Sequence, residues 1–129
     1  MSYRVYIGHS PKDSELAKDL ANRLDEAGID ALFTPSPDKT DNSSGMRGMI
    51  KQRVGKSDEV IILLTNNAAA DYWASYEMGV ANSMDKRLTP VVVNPGIERL
   101  FPMVGPKSFI KYTDLPRYIS SLKRRAKAA

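Results

Sequence analysis

The sequence predicts an α/β fold, a three-layer sandwich in which helices cover both faces of a five-stranded parallel sheet. Strand-like and helix-like segments alternate along the whole chain, which is typical of parallel sheets with crossover helices. Residues 60–64 are five consecutive aliphatic residues, as expected of a strand covered on both faces. The chain has 129 residues, 42% of them hydrophobic. This length suits one domain, which we place at residues 1–129.

The individual elements follow from local patterns. Stretches rich in β-branched and aromatic residues predict strands over residues 3–8, 29–34, 59–65, 88–94 and 108–112. Apolar residues at helical spacing predict helices over about 10–27, 45–55, 69–84 and 115–127. Ser10 or Asp13 caps the first helix, and Gly28 ends it. Residues 35–44 are polar and contain prolines, so they predict a long loop, a kind of segment that often carries function.

Five strands in this arrangement favour the flavodoxin-like order 2-1-3-4-5. Strands one and three are then neighbours, and the chain diverges between them. Ligands of such sheets bind beyond the carboxyl ends of the strands at this switch point. Residues 8–13, the loop after strand two and residues 65–71 are expected to surround that crevice.

One acidic residue lies on the apolar face of the third predicted helix. That face is formed by Trp73, Tyr76, Val80, Ala81 and Met84. Glu77 is four residues after Trp73 and four before Ala81, so it shares their face, which carries no lysine or arginine. A buried carboxylate is costly unless something pairs with it. Glu77 therefore has either a structural partner or a place beside a ligand cleft, and we favour the cleft.

Composition excludes several classes of protein. The net charge of +4 is concentrated near the C-terminus, in Lys123, Arg124, Arg125 and Lys127, which we interpret as a solvated helix end. Aromatic residues do not alternate with these cations, so no nucleic-acid partner is expected. The absence of cysteine and the single histidine, His9, predict no disulfide and no metal centre. No apolar run approaches the ~20 residues of a membrane span, and the N-terminus enters a strand directly rather than a signal peptide, so we expect a cytoplasmic protein.

Known catalytic motifs are also missing. Neither the dinucleotide-binding pattern G-x-G-x-x-G nor the P-loop pattern G-x-x-x-x-G-K-[ST] occurs. Residues 8–10 are Gly-His-Ser and residues 65–67 are Thr-Asn-Asn, where a receiver domain would have its aspartates. What remains is a carboxylate with hydroxyls, backbone amides and aromatic rings. Such a set suits cleavage of a glycosidic bond with a good leaving group, such as the ribose–nicotinamide bond of NAD. The carboxylate would stabilise the oxocarbenium-like transition state, and Trp73 or Tyr6 would stack on a ring.

Four segments together resemble the Toll/interleukin-1 receptor (TIR) domain of the bacterial kind. They are residues 6–13 (Tyr-Ile-Gly-His-Ser-Pro-Lys-Asp), 57–64 (Ser-Asp-Glu-Val-Ile-Ile-Leu-Leu), 73–77 (Trp-Ala-Ser-Tyr-Glu) and 88–93 (Leu-Thr-Pro-Val-Val-Val). The third matches the family's W-x-x-x-E pattern around its catalytic glutamate. The similarity spans about residues 3–125. Gly8 departs from the family's frequent serine, and residues 35–44 lack the usual aromatic or arginine pattern.

The resemblance implies NAD cleavage to nicotinamide and ADP-ribose or a cyclic ADP-ribose isomer, with a role in anti-phage defence. NAD is then the substrate, and no cofactor is required. Glu77 would be the catalytic residue, and the substrate-binding residues would be Gly8, His9, Ser10, Phe33 and Trp73. The loop at 35–44 would be the family's mobile loop. Partners implied are further copies of the TIR domain and a separate sensor or effector protein.

Two alternatives stay open. The first is a non-catalytic TIR interaction module. The second is an enzyme like the nucleoside deoxyribosyltransferases, which also use a glutamate near a parallel sheet. A pure interaction module has no need of a carboxylate facing a cleft. A deoxyribosyltransferase would want a further acidic residue for base recognition, and none is obvious in the sequence.

Overall fold

A five-stranded sheet of order β2-β1-β3-β4-β5 forms the centre of the computed structural model, which describes residues 2–34, 43–104 and 108–129. The strands are β1 (Arg4–Gly8), β2 (Asp30–Leu32), β3 (Glu59–Leu64), β4 (Arg87–Val92) and β5 (Ile110–Lys111). Every neighbouring pair is parallel. The predicted α/β flavodoxin-like fold and its strand order are therefore confirmed.

Helices cover both faces of this sheet. They are α1 (Ser14–Glu26), α2 (Ser43–Lys56), α3 (Asn66–Ala70), α4 (Trp73–Ser83) and α5 (Leu115–Ala128). Short 3-10 turns occupy Pro11–Asp13, Ile97–Leu100 and Tyr112–Asp114. None of the helices in these described ranges is long and apolar enough to cross a membrane.

Alternation along the strands divides the core into two layers. Val5 and Ile7 of β1 pack in the layer that contains α1 and α5. Tyr6, between them, packs in the opposite layer with Ile50 of α2 and Met78 of α4. Since side chains alternate along a strand, Tyr6 and Gly8 both face the layer that contains α4. The helix bearing Glu77 therefore lies over these two positions of β1.

The third helix was predicted as one continuous element over residues 69–84. That extent is wrong, because two helices, α3 and α4, occupy this part of the chain. Thr65 caps the short α3 by accepting a 2.9 Å hydrogen bond from the backbone N–H of Ala68. Asp71 is extended and accepts a 3.0 Å bond at Oδ1 from the backbone N–H of Trp73, where α4 begins. These two side-chain bonds compete with a continuous helix. Met84, predicted on the inner face, lies past the end of α4 and is 38% exposed.

Other boundaries differ by a few residues. The last predicted strand is shortened to two residues, since a 3-10 turn begins at Tyr112. The helix predicted from residue 45 begins at Ser43. The predicted loop at 35–44 thus ends inside α2, and its residues 35–42 lie outside the described residues.

Glu59 is a buried carboxylate at the start of β3 with a full set of partners. Arg125 of α5 donates to both oxygens, at 2.9 and 3.0 Å. The hydroxyls of Tyr3 and Tyr118 donate at 2.5 and 2.6 Å. Burial opposes ionisation, but these donors outweigh it and lower the pKa of Glu59. Arg125 is therefore the half-buried ion-pair partner of a fully buried carboxylate, so the prediction that it belongs to a solvated helix end is wrong.

Candidate functional site

A narrow hollow lies where the sheet order reverses, beyond the carboxyl ends of β1 and β2. It is lined by His9, Pro11, Thr34, Met46, Ile50, Trp73 and Glu77. β1 pairs with β2 on one side and β3 on the other, so this is the switch point at which parallel sheets bind ligands. The crevice predicted from the strand order and the unusual carboxylate therefore coincide.

Glu77 enters this hollow from α4 and is only 3% exposed. Its Oε2 accepts a 2.5 Å hydrogen bond from the hydroxyl of Tyr6. Its Oε1 is buried and has no hydrogen-bond partner among the described residues. The ion pairs found in residues 2–34, 43–104 and 108–129 leave Glu77 without a cation. A buried acceptor without a donor is costly, so Oε1 is an atom whose partner a ligand can supply.

The ionisation of Glu77 is shifted strongly. Burial raises its pKa from the ordinary 4.5 to about 8. The Tyr6 hydroxyl and the nearby backbone N–H of His9 act against burial, whereas the charge of Asp71 adds to it. At pH 7 the carboxyl group is therefore mainly protonated in the absence of a ligand. A pKa shift of this size in a carboxyl group that lines a cleft is typical of functional sites.

His9 offers a second buried atom without a partner. The ring is 6% exposed, and its Nδ1 lies 2.7 Å from the carbonyl oxygen of Ser10. A carbonyl only accepts, so Nδ1 carries the proton and Nε2 is an acceptor, which has no partner among the described residues. Burial lowers the pKa of His9, which keeps the ring neutral. Unpaired acceptors on Glu77 and His9, which both line the hollow, suit the hydroxyl groups of a sugar.

Gly8 provides the close approach between β1 and α4. A Cβ atom at this position would lie 2.3 Å from Cδ1 of Ile62 and 3.2 Å from Oε1 of Glu77. The space of the missing side chain is thus filled by Ile62 and the carboxylate. Glycine at this position lets the Glu77 carboxylate lie directly against the end of β1.

Ser10 and Asp13 hold the loops around the hollow together. Ser10 Oγ donates to Asp71 Oδ2 at 2.6 Å and accepts from the backbone N–H of Lys12 at 3.2 Å. Asp13 accepts hydrogen bonds from Thr65 at 2.5 Å and Asn67 at 2.7 Å. The segment after β1 is therefore tied to the segment after β3. Ser10 is fully buried in these bonds, and its predicted role in substrate binding stays a prediction.

The aromatic residues of the site have separate places. Trp73 lines the hollow and stacks on the half-exposed Tyr72, with ring centroids 4.5 Å apart. Phe33 packs against His9 in a T-shaped contact with ring centroids 5.9 Å apart, and it is not among the residues that line the hollow. Tyr6 is fully buried, so the prediction that it stacks on a ligand is wrong. Its contact with Glu77 was missed, although alternation along β1 places Tyr6 on the same face as Gly8.

The hollow is small in this conformation. Its volume is about 10 Å³, which is room for about one water molecule. Ligand pockets for molecules of nucleotide size take roughly 300 Å³ or more. Entry of such a ligand therefore requires the lining residues to move apart.

Several solved structures share the fold of this chain. The TIR domain of a Toll-related receptor, TRR-2, from Hydra magnipapillata has 15% identity and a TM-score of 0.73 over 98% of this chain and 99% of its own. A prokaryotic SEFIR domain has 17% identity and a TM-score of 0.64, over 95% and 91%. The TIR domains of the activated Roq1 resistosome, which recognises the pathogen effector XopQ, have 17% identity and a TM-score of 0.53, over 99% and 86%.

At these identities the solved structures establish the fold alone. No curated protein matches the chain significantly. The family model described as TIR domain matches residues 5–126, which is nearly the whole sequence. The chain therefore belongs to the TIR domain family.

Proposed function

We propose that this TIR domain cleaves NAD, releasing nicotinamide and forming ADP-ribose or a cyclic ADP-ribose isomer, with Glu77 as the catalytic carboxylate. The observation that carries the proposal is Oε1 of Glu77, a buried oxygen beside the switch-point hollow that has neither a donor nor a cation in the part of the chain that the structure describes. A domain that serves only as a scaffold gains nothing from the cost of burying such a group. The resemblance to bacterial members adds a cytoplasmic role in anti-phage defence to the proposal.

The chemistry requires little more than a placed negative charge. The bond between ribose C1′ and the nicotinamide nitrogen breaks, and the electron pair leaves with nicotinamide, which becomes neutral. Positive charge develops on the ribose, and an ionised Glu77 facing it stabilises the transition state. Water then adds to C1′ and releases a proton, giving ADP-ribose, or an atom of the adenine adds and gives the cyclic isomer.

Ribose recognition falls to the unpaired acceptors that line the hollow. In the proposed complex the 2′- and 3′-hydroxyls of the ribose donate to Oε1 of Glu77 and Nε2 of His9. The positive nicotinamide ring favours the ionised form of the carboxyl group and so opposes the effect of burial on its pKa. Trp73, which lines the same hollow, is positioned to pack on a ring of the substrate.

The narrowness of the hollow favours a resting state that opens on assembly. Among the described residues, its lining comes from the turn after β1, Thr34, α2 and α4. We propose that self-association of the TIR domain moves these segments apart and admits NAD. The similarity to TIR domains from an activated resistosome supports an assembled active form.

Nicotinamide release tests the proposal. The protein is incubated with NAD at high concentration and also clustered on beads, and nicotinamide is quantified by chromatography. We expect release from the wild type and a loss of at least about 100-fold in Glu77→Gln and Glu77→Ala, as for removal of one electrostatic catalytic group. Glu15→Gln is the matched control, since Glu15 is exposed on α1.

Three outcomes would contradict the assignment. Absence of release from clustered wild-type protein would favour the non-catalytic interaction module. Release that survives in both Glu77 variants would place the chemistry at other residues. Turnover of a deoxynucleoside in place of NAD would favour an enzyme of the deoxyribosyltransferase type.

A further inference from the structure

The hydroxyl group of Tyr6 lies between two partners in the buried layer under α4. It donates to Oε2 of Glu77 at 2.5 Å, and its oxygen lies 2.9 Å from Oγ1 of Thr34. A phenol has one proton, so when Tyr6 donates to Glu77 the hydroxyl of Thr34 must be the donor in the second bond. The result is a directed chain from Thr34 through Tyr6 to Glu77, made by residues from three different segments.

This chain fixes which carboxylate oxygen is available to a ligand. Oε2 is occupied by Tyr6, and Gly8 leaves the space against which Oε1 lies. The carboxylate is therefore held on one side by a hydrogen bond and on the other by close packing. A phenylalanine at position 6 would fill the same space without holding the carboxylate plane.

Tyr6 also affects the ionisation of Glu77, together with the charged and titratable groups around that residue. From the break between α3 and α4 the charge of Asp71 opposes ionisation of Glu77, and from the turn after β1 the backbone N–H of His9 favours it. From α2 the charge of Arg53 acts on the Tyr6 hydroxyl. Burial and the adjacent Glu77 raise the pKa of Tyr6, so its hydroxyl stays protonated and remains a donor. Tyr6 is the side chain whose hydrogen bond favours ionised Glu77.

We infer that Tyr6 is the positioning residue of this site: its hydroxyl, oriented by Thr34, holds Oε2 of Glu77 and directs Oε1 at the ligand. The effect of Tyr6 on catalysis rests on the proposed function. The contact between Tyr6 and Glu77, and its effect on the ionisation of Glu77, do not depend on any substrate.

Titration of Glu77 tests the contact directly. Glutamate labelled with ¹³C at the carboxyl carbon is incorporated, and the Glu77 signal is assigned by its absence in Glu77→Gln. Removal of a hydrogen bond to a charged group predicts that the titration midpoint rises by about one unit or more in Tyr6→Phe. Thr34→Val, which leaves Tyr6 in place, is expected to raise it by less.

Tyr118→Phe is the matched control. It removes a tyrosine hydroxyl bound to the other buried carboxylate, Glu59, at a similar distance of 2.6 Å. Because this hydroxyl does not contact Glu77, we expect its removal to leave the titration midpoint of Glu77 unchanged. If Tyr6→Phe does not fold, the titration midpoint of Glu77 is measured in Thr34→Val instead.

Kinetics adds a second readout. In Tyr6→Phe at pH 7 we expect kcat/KM for nicotinamide release, which follows the ionisation of the free enzyme, to fall about tenfold and to recover at higher pH. An unchanged midpoint in both Tyr6→Phe and Thr34→Val would overturn the inference, as would an equal shift in Tyr118→Phe. If the wild type releases no nicotinamide, the proposed function fails, and the titration still decides the role of Tyr6.

Discussion

We expect Glu77→Gln to be more stable than the wild type, by a margin that grows as the pH rises. Glutamine keeps the shape of the side chain and an acceptor for Tyr6, but it carries no charge to bury. In the wild type, burial raises the pKa of Glu77 from 4.5 to about 8 in the folded state. The unfolded chain ionises near the ordinary value, so it releases its proton first as the pH increases.

The sign follows from proton linkage. Below pH 4.5 both states hold the proton, and burial of the neutral carboxyl group carries no charge penalty. Between pH 4.5 and about 8 only the unfolded state ionises, so stability falls by about 1.4 kcal/mol per pH unit. The accumulated loss is roughly 3 kcal/mol at pH 7 and about 5 kcal/mol above pH 8. A typical domain has a free energy of unfolding of about 5–15 kcal/mol, so the effect is large.

Urea unfolding of both proteins from pH 5 to pH 9 measures this difference. The fluorescence of Trp73, the single tryptophan, reports unfolding from beside the site. We expect the free energy of unfolding of Glu77→Gln minus that of wild type to grow up to about pH 8 and then level. Glu15→Gln, at an exposed position, should differ from wild type by less than about 0.5 kcal/mol throughout. A Glu77→Gln difference that does not change with pH would refute the reasoning, because Glu77 would then ionise as an exposed carboxyl does.

Three further predictions follow from the same contacts. The value of kcat/KM for nicotinamide release follows the ionisation of Glu77 in the free enzyme, so it should rise about tenfold per pH unit on the acid side of pH 8 and level above it, and a pH–rate profile checks this. Gly8→Ala should destabilise the protein by about 1–3 kcal/mol and abolish release. Gly79→Ala should stabilise it by about 0.5–1 kcal/mol in thermal unfolding, because no described atom beyond its own stretch of helix lies within 4 Å of the added Cβ. Arg125→Ala should cost about 3–5 kcal/mol in urea unfolding, because it leaves Glu59 charged and buried without its cation.

The two buried carboxylates show why one is a candidate for function. Glu59 and Glu77 are both nearly inaccessible, at 0% and 3% exposure. Donors from three side chains surround Glu59 and lower its pKa, whereas Glu77 has one side-chain donor among the described residues and a raised pKa. The partners of Glu59 are complete within the fold, whereas the described residues leave one oxygen of Glu77 open to a ligand.

Local patterns in the sequence were enough to predict the sheet and the position of the unusual carboxylate. The aliphatic run at 60–64 and the alternation of elements determine a parallel sheet, and helical spacing places Glu77 on the inner face of its helix. The strand order then places the start of that helix near the switch point. Each of these inferences uses residues close together in the chain, because the spacing of apolar residues along a short segment indicates a strand or a helix and the face that it buries.

The tertiary structure decided which atoms meet. Tyr6 and Glu77 are 71 residues apart, and Arg125 and Glu59 are 66 apart, so no local period links either pair. The break before α4 arises because Asp71 bonds both to the next turn and to Ser10, 61 residues away. Whether a buried charge is paired or left open depends on such distant contacts, because its free energy is set by the atoms within hydrogen-bond reach in space.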